Sequence, residues 1–136
     1  MGNSSSSPIK KANFEDICDM DRSYILISTL PSHDQDILIA HTASAVQETS
    51  IVEEAIKQNK NIIVYGKHSN DESIYKKGEQ IRCLGHANVF VYPGGLFEWL
   101  LLQDIFGSES FPTTKKTVDL LSYKPCSHLQ LKYLEN

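Results

Sequence analysis

The sequence predicts a single α/β domain in which a central, mainly parallel sheet carries helices on both faces. Three observations support this. Apolar runs with strand character alternate with segments whose apolar residues recur at helical spacing. Two of those runs, Asn61-Ile-Ile-Val-Tyr65 and Asn88-Val-Phe-Val-Tyr92, are almost unbroken, as strands covered on both faces require. The chain has 136 residues, 40% of them hydrophobic, which suffices for one core and not for two.

The elements follow in order. Residues 1–12 are Ser-rich and then basic, with Lys10 and Lys11 and no apolar period, and are expected to form a flexible arm. Asn13, Phe14, Ile17 and Cys18 suit one short helical turn, and Ser23 to Thr29 is a β-rich run stopped by Leu30-Pro31. Ile37-Leu-Ile39 is either an edge strand or a connecting turn. Ser50 followed by Glu53 has capping-box spacing, and Ile51, Val52, Ala55 and Ile56 then share a helical face as far as Asn59. After the strand 61–65, Gly66 opens a polar loop. A helix over 72–84 follows, with Ile74, Gly78, Ile81 and Leu84 in period and Gly85 as its stop. The strand 88–92 leads through Pro93-Gly94-Gly95 into an apolar helix over 96–106 closed by Gly107. The folded domain is therefore placed at 13–107. Residues 108–136 are a C-terminal extension, packed on the domain or partly flexible, in which Leu129, Leu131 and Tyr133 alternate.

Composition excludes some partners. A net charge of −4 supplies no overall basic field for nucleic acid or an anionic membrane, so no nucleic-acid role is expected. The three cysteines, Cys18, Cys83 and Cys126, lie far apart without metal or redox spacing, so no metal and no cofactor is expected and a reducing cytoplasm suits them. No stretch reaches the roughly 18 to 20 apolar residues of a spanning helix.

Two stretches together carry a family resemblance. Leu84-Gly85-x-x-Asn88-Val89, a strand, and then Gly94-Gly95-Leu-Phe-Glu-Trp99 resemble the closing half of a rhodanese domain. The strand 62–65 with the loop and helix after it resembles that family's active-site segment, so the likeness covers residues 13–107. Physics gives these residues structural work: Gly85 as a left-handed cap, Gly94-Gly95 as a reversal free of Cβ clash, Trp99 as a large apolar anchor. The family's opening motif is degraded. Ser28 and Leu30 stand where the resemblance implies Asp-x-Arg, and Ala40-His41-Thr42-Ala43-Ser44 stands for Gly-His-Ile-Pro-Gly, so His41 alone survives, as a turn or packing residue.

The resemblance places a nucleophilic cysteine directly after the strand, where helix-start N–H groups would hold its thiolate or persulfide. This chain has Gly66 there, followed by Lys67, His68, Ser69, Asn70 and Asp71. A serine cannot carry a transferable sulfane sulfur, and Ser69 would need His68 turned back onto it even to act as an acyl nucleophile. The bland reading is a polar loop in which Asn70 or Asp71 caps the helix. The cysteine and arginine that phosphatases related to this fold use as nucleophile and phosphate clamp are both absent between Gly66 and Ile81. Cys83, at the far end of the helix, is expected to be a buried structural cysteine, and Cys18 and Cys126 are given no role. Of the aromatic residues Tyr75, Tyr92, Phe97 and Trp99, most are expected in the core.

Met1-Gly2-Asn3-Ser4-Ser5-Ser6 matches the N-myristoylation pattern, with Gly2 as acceptor and an ordinary polar start as the alternative. One such chain gives marginal, reversible membrane binding, which Lys10 and Lys11 reinforce little and phosphates on Ser4 to Ser7 would oppose. The leading expectation is a non-catalytic, rhodanese-like cytoplasmic module that binds an unidentified protein partner and visits a membrane face reversibly. The alternatives are a hydrolase or residual sulfurtransferase using Lys67 to Asp71, with His41 contributing, and an anion-binding site without turnover.

Overall fold

The computed structural model describes residues 8–18, 24–31, 33, 35–117 and 119–127. Gly2, Ser4 to Ser7, Leu129, Leu131 and Tyr133 lie outside the described residues. Among the described residues, four strands, β1 (Lys10–Lys11), β2 (Tyr24–Ser28), β3 (Asn61–Tyr65) and β4 (Val89–Tyr92), form one sheet in the order β1-β4-β3-β2, with every pairing between them parallel. The helices are α1 (Phe14–Cys18), α2 (Glu48–Lys57), α3 (Ser73–Arg82) and α4 (Gly95–Phe106). A short 3-10 turn spans Leu120–Tyr123.

Strand alternation divides the core in two. Ile27, Ile62, Val64, Val89 and Val91 point to one face, where Val52 and Ala55 of α2 and Ile74 and Ile81 of α3 cover them. Leu26, Ile63, Tyr65 and Tyr92 point to the other, beneath Ile17 of α1, the segment 37–39 and Leu96, Trp99 and Leu100 of α4. Handedness explains the division. The steps β2 to β3 and β3 to β4 move across the sheet one way, so right-handed crossovers place α2 and α3 on the same face. The step from β1 to β2 runs the opposite way across the whole sheet, and its helix falls on the other face. The α/β sheet with helices on both faces is thus as the sequence predicts.

Several expectations are corrected. The arm assigned to 1–12 does not extend to residue 12: Lys10 and Lys11 pair with Phe90 and Val91, and Ile9 and Ala12 are buried. A two-residue strand has no period to detect, and it exists because β4 offers it an open edge. The capping box does not form. Helix α2 begins at Glu48, so Ser50 lies inside its first turn, and Gln47 at the N-cap makes no side-chain cap. Of the two readings of residues 37–39, the connecting one holds: among the described residues they carry one antiparallel bridge, Ile39 to Thr113. Cys83 is exposed and Leu84 is 64% exposed. The buried line of α3 is Ile74, Gly78 and Ile81, which turns both of them away from the sheet.

Trp99, 1% exposed, anchors the second core as the sequence implies. Its ring meets Tyr92 and Phe111 edge-on, and its Nε1 donates to the Pro112 carbonyl at 3.0 Å. The start of the C-terminal extension is therefore core: Phe111 is buried, and Thr114 and Leu38 exchange two hydrogen bonds of 2.8 and 3.0 Å.

If β1 belongs to the fold, Ile9→Ala removes buried methyl groups from the α3 face and lowers the unfolding free energy by about 2 kcal/mol in urea titration. An unchanged midpoint would return residues 8–12 to a flexible arm.

Candidate functional site

In an open parallel sheet, loops at the carboxyl ends of the central strands are where chemistry collects. The loop from Gly66 to Asp71 leaves the end of β3, between its neighbours β2 and β4, and feeds α3. Its backbone is fixed from below by α4. The Leu96 and Phe97 N–H groups donate to the carbonyls of Gly66 and Lys67 at 2.9 and 2.8 Å, which satisfies donors that a helix start otherwise leaves open. The approach is so close that Gly95 is obligatory. It sits at φ +68°, and a Cβ there would lie 2.8 Å from the Gly66 carbonyl oxygen and 3.0 Å from the His68 nitrogen.

Asp71 organises the inside of the loop. Its Oδ2 accepts from the Lys67 N–H at 3.2 Å. Its Oδ1 accepts from the Ser73 N–H at 3.1 Å and from the Ser73 hydroxyl at 2.5 Å, and that hydroxyl also lies 2.8 Å from Thr29 Oγ1 beyond β2. The sequence names Asn70 or Asp71 as the cap; the N-cap position is Glu72, which makes no side-chain cap, and Asp71, one residue earlier, accepts the first N–H of α3. Partial burial works against its charge, but the donors from Ser73 and Lys67 and the nearby His68 outweigh this and hold the carboxyl below its usual range.

The same carboxylate explains Gly66. A Cβ at residue 66 would stand 2.5 Å from Asp71 Oδ2, 2.9 Å from its Cγ and 3.0 Å from Thr29 Oγ1. Any side chain at residue 66 would force the Asp71 carboxylate to shift. The remaining loop residues do not assemble a nucleophile. His68 Nδ1 accepts from the Asn70 N–H at 3.2 Å. Ser69 and Asn70 are exposed. Lys67 sends its ammonium over the ring of Tyr123, 5.6 Å from the centroid, so the C-terminal segment leans on the loop. Tyr123 in this role is not readable from sequence, because nothing in its local pattern links it to a loop more than fifty residues earlier.

The other candidate residues lie elsewhere. His41, in a left-handed turn at φ +71°, is exposed and lines a separate cavity with Ile17, Cys18 and Pro112. Ser28 and Leu30 are buried, and the Ser28 hydroxyl accepts from the Leu30 N–H at 3.0 Å. Tyr65, whose hydroxyl bonds the Ile39 N–H and Thr42, is pushed up to about 12 chiefly by burial, so it stays protonated. Cys18 is raised by partial burial and by Glu15, the reverse of what a reactive thiolate needs. Tyr92 and Trp99 are core residues, while Tyr75 is exposed. Among the described residues, no three His, Cys, Asp or Glu side chains converge as a metal site, and no helix is long and apolar enough to cross a membrane.

A model of the rhodanese-like domain matches residues 30–102, more than half of the chain, and includes the loop and the glycine pair before Trp99. No curated protein matches the sequence.

Because the Asp71 carboxyl is held below its unfolded value, its contribution is complete above the unfolded pKa of about 3.9 and is lost as pH falls through the lower folded value. Asp71→Asn should therefore cost on the order of 1 kcal/mol at pH 6, allowing for solvent screening. The gap between wild type and variant in urea midpoint should close below about pH 4. A gap independent of pH would show that the charge is not what the loop uses.

Proposed function

The chain belongs to the rhodanese-like domain family, and from that premise we propose that it is a non-catalytic member, a cytoplasmic protein-binding module that a myristoyl group on Gly2 recruits reversibly to membranes. One observation carries the non-catalytic reading: the Asp71 carboxylate lies where the first atoms of a residue-66 side chain would have to go. In an active relative, the loop's N–H groups hold the charge of a thiolate or persulfide. Here the Lys67 and Ser73 N–H groups already hold a carboxylate that is covalently part of the loop.

That arrangement also weighs against the two alternatives. A second anion would have to displace Asp71 or sit beside its negative charge, which is unfavourable for phosphate and thiosulfate alike. A hydrolase would need an activated nucleophile, and His68 Nδ1 accepts from the Asn70 N–H rather than from the Ser69 hydroxyl. What remains is a well-fixed polar surface, with exposed Ser69 and Asn70 flanked by the Lys67–Tyr123 contact. Such a surface suits recognition by a protein.

The wild-type protein should transfer no sulfur from thiosulfate to cyanide, and Gly66→Cys alone should not confer transfer. Gly66→Cys should also lose about 1 to 3 kcal/mol of stability to the clash, a loss that adding Asp71→Ala relieves. Wild-type turnover abolished by Ser69→Ala or Cys83→Ser would sink the non-catalytic reading.

The recruitment half of the reading rests on the Gly2 pattern. Intact mass spectrometry of the chain from eukaryotic cells should show loss of Met1 and one myristoyl addition. An unmodified or acetylated terminus would remove membrane recruitment from the proposal and leave the module itself.

A further inference from the structure

Helices α2 and α3 are not in full contact with each other above the sheet. Between them runs a cleft of about 640 Å³ whose apolar lining is Val52, Ile56, Ile81 and Leu84. This volume falls within the range of cavities that hold small apolar ligands. One end is tied by the ion pair between Glu48, at the start of α2, and Lys77. The other end opens where both helices finish, at the exposed Leu84.

The position of β1 places Ile9 at the end of the sheet where α3 finishes. Lys10 is in register with Phe90, so Ile9 stands level with Val89, the first residue of β4 and the strand that follows α3. Ile9 packs directly over Gly78 of α3, its Cδ1 2.6 Å from where a Cβ would be. Residues 2–8 precede it. Seven residues reach about 23 Å when extended, while Gly78 to Leu84 is a rise of about 9 Å along the helix. With the roughly 10–12 Å width of α3 to be rounded as well, the path is about 20 Å, which the extended segment spans.

We infer that the acyl chain on Gly2 docks into the cleft between α2 and α3, so that the module holds its own membrane anchor and releases it on recruitment. This rests on the lipidation reading above, in which the Gly2 amine takes the acyl group from an acyl thioester, forming an amide and releasing the thiol. The cleft suits an unbranched saturated chain, which would lie along Val52, Ile56, Ile81 and Leu84 beneath a polar rim of Glu48, Thr49, Glu53, Lys57, Lys77 and Gln80. Docked, the acyl chain covers Leu84 and Ile56. Undocked, it is available to a bilayer, to which a single chain binds only marginally, so modest competition from the cleft decides the outcome.

The test uses the full chain acylated by a purified N-myristoyltransferase with ¹³C-labelled myristate, each sample checked by intact mass. Nuclear Overhauser contacts from the acyl methylenes to the methyl groups of Ile56, Ile81 and Leu84 are expected. Leu84→Asp, at an exposed position that leaves the core intact, should raise the fraction bound to neutral phosphatidylcholine vesicles roughly threefold by freeing the chain. Acylated protein without those contacts, whose vesicle binding Leu84→Asp leaves unchanged, overturns the docking while keeping the lipidation. A chain that the transferase does not acylate overturns both.

Discussion

The close passage of the β3–α3 loop over the first turn of α4 is the contact on which the rest of the site depends. Two carbonyls, those of Gly66 and Lys67, receive the first free N–H groups of α4, and the absence of a side chain at Gly95 makes the approach sterically possible. From this contact the order spreads outward. One turn into α4 lies Trp99, whose indole N–H holds the Pro112 carbonyl and whose ring meets Phe111. Thr113 and Thr114 then bind Ile39 and Leu38. The second core and the beginning of the extension are in this way hung from a junction that also shapes the loop.

Within the loop, electrostatics has been turned inward. A turn of N–H groups at the start of a helix is a favourable place for negative charge whatever the source of that charge. The protein supplies the charge itself, from Asp71, which accepts the Lys67 and Ser73 N–H groups. Gly66 leaves the room that this carboxylate occupies.

Much of this architecture was legible in the sequence because it rests on periodicity. Strand β3 was bounded to the residue, and β4, α3 and α4 to within one or two residues, since an unbroken apolar run and a recurring 74, 78, 81 face have few other uses. The elements that were not legible are those fixed by partners distant in sequence. β1 is two lysines that become a strand only beside β4, α2 starts upstream of its apparent capping signal, and Cys83 and Leu84 fit the chemistry of a core but fall on the wrong side of α3. For the site, Gly66 at the end of β3 and a carboxylate at residue 71 just before α3 were readable. The crowding of Gly66 and the reach of Lys67 to Tyr123 were not, because both depend on how loop atoms meet in space.

The placement of Lys10 and Lys11 has a consequence for solubility. An open sheet ends in two edges, and each is a template on which a strand from another molecule can add. At one edge this sheet finishes in a strand only two residues long, both of them exposed lysines, whose brevity and positive charge discourage a foreign strand from pairing. At the other, β2 is met along its middle by Thr42 and Ala43, the latter donating to the Leu26 carbonyl. Neither edge offers a long, flat row of open backbone groups. Two residues with no apolar face of their own thus complete the sheet and also protect it from edge-to-edge aggregation.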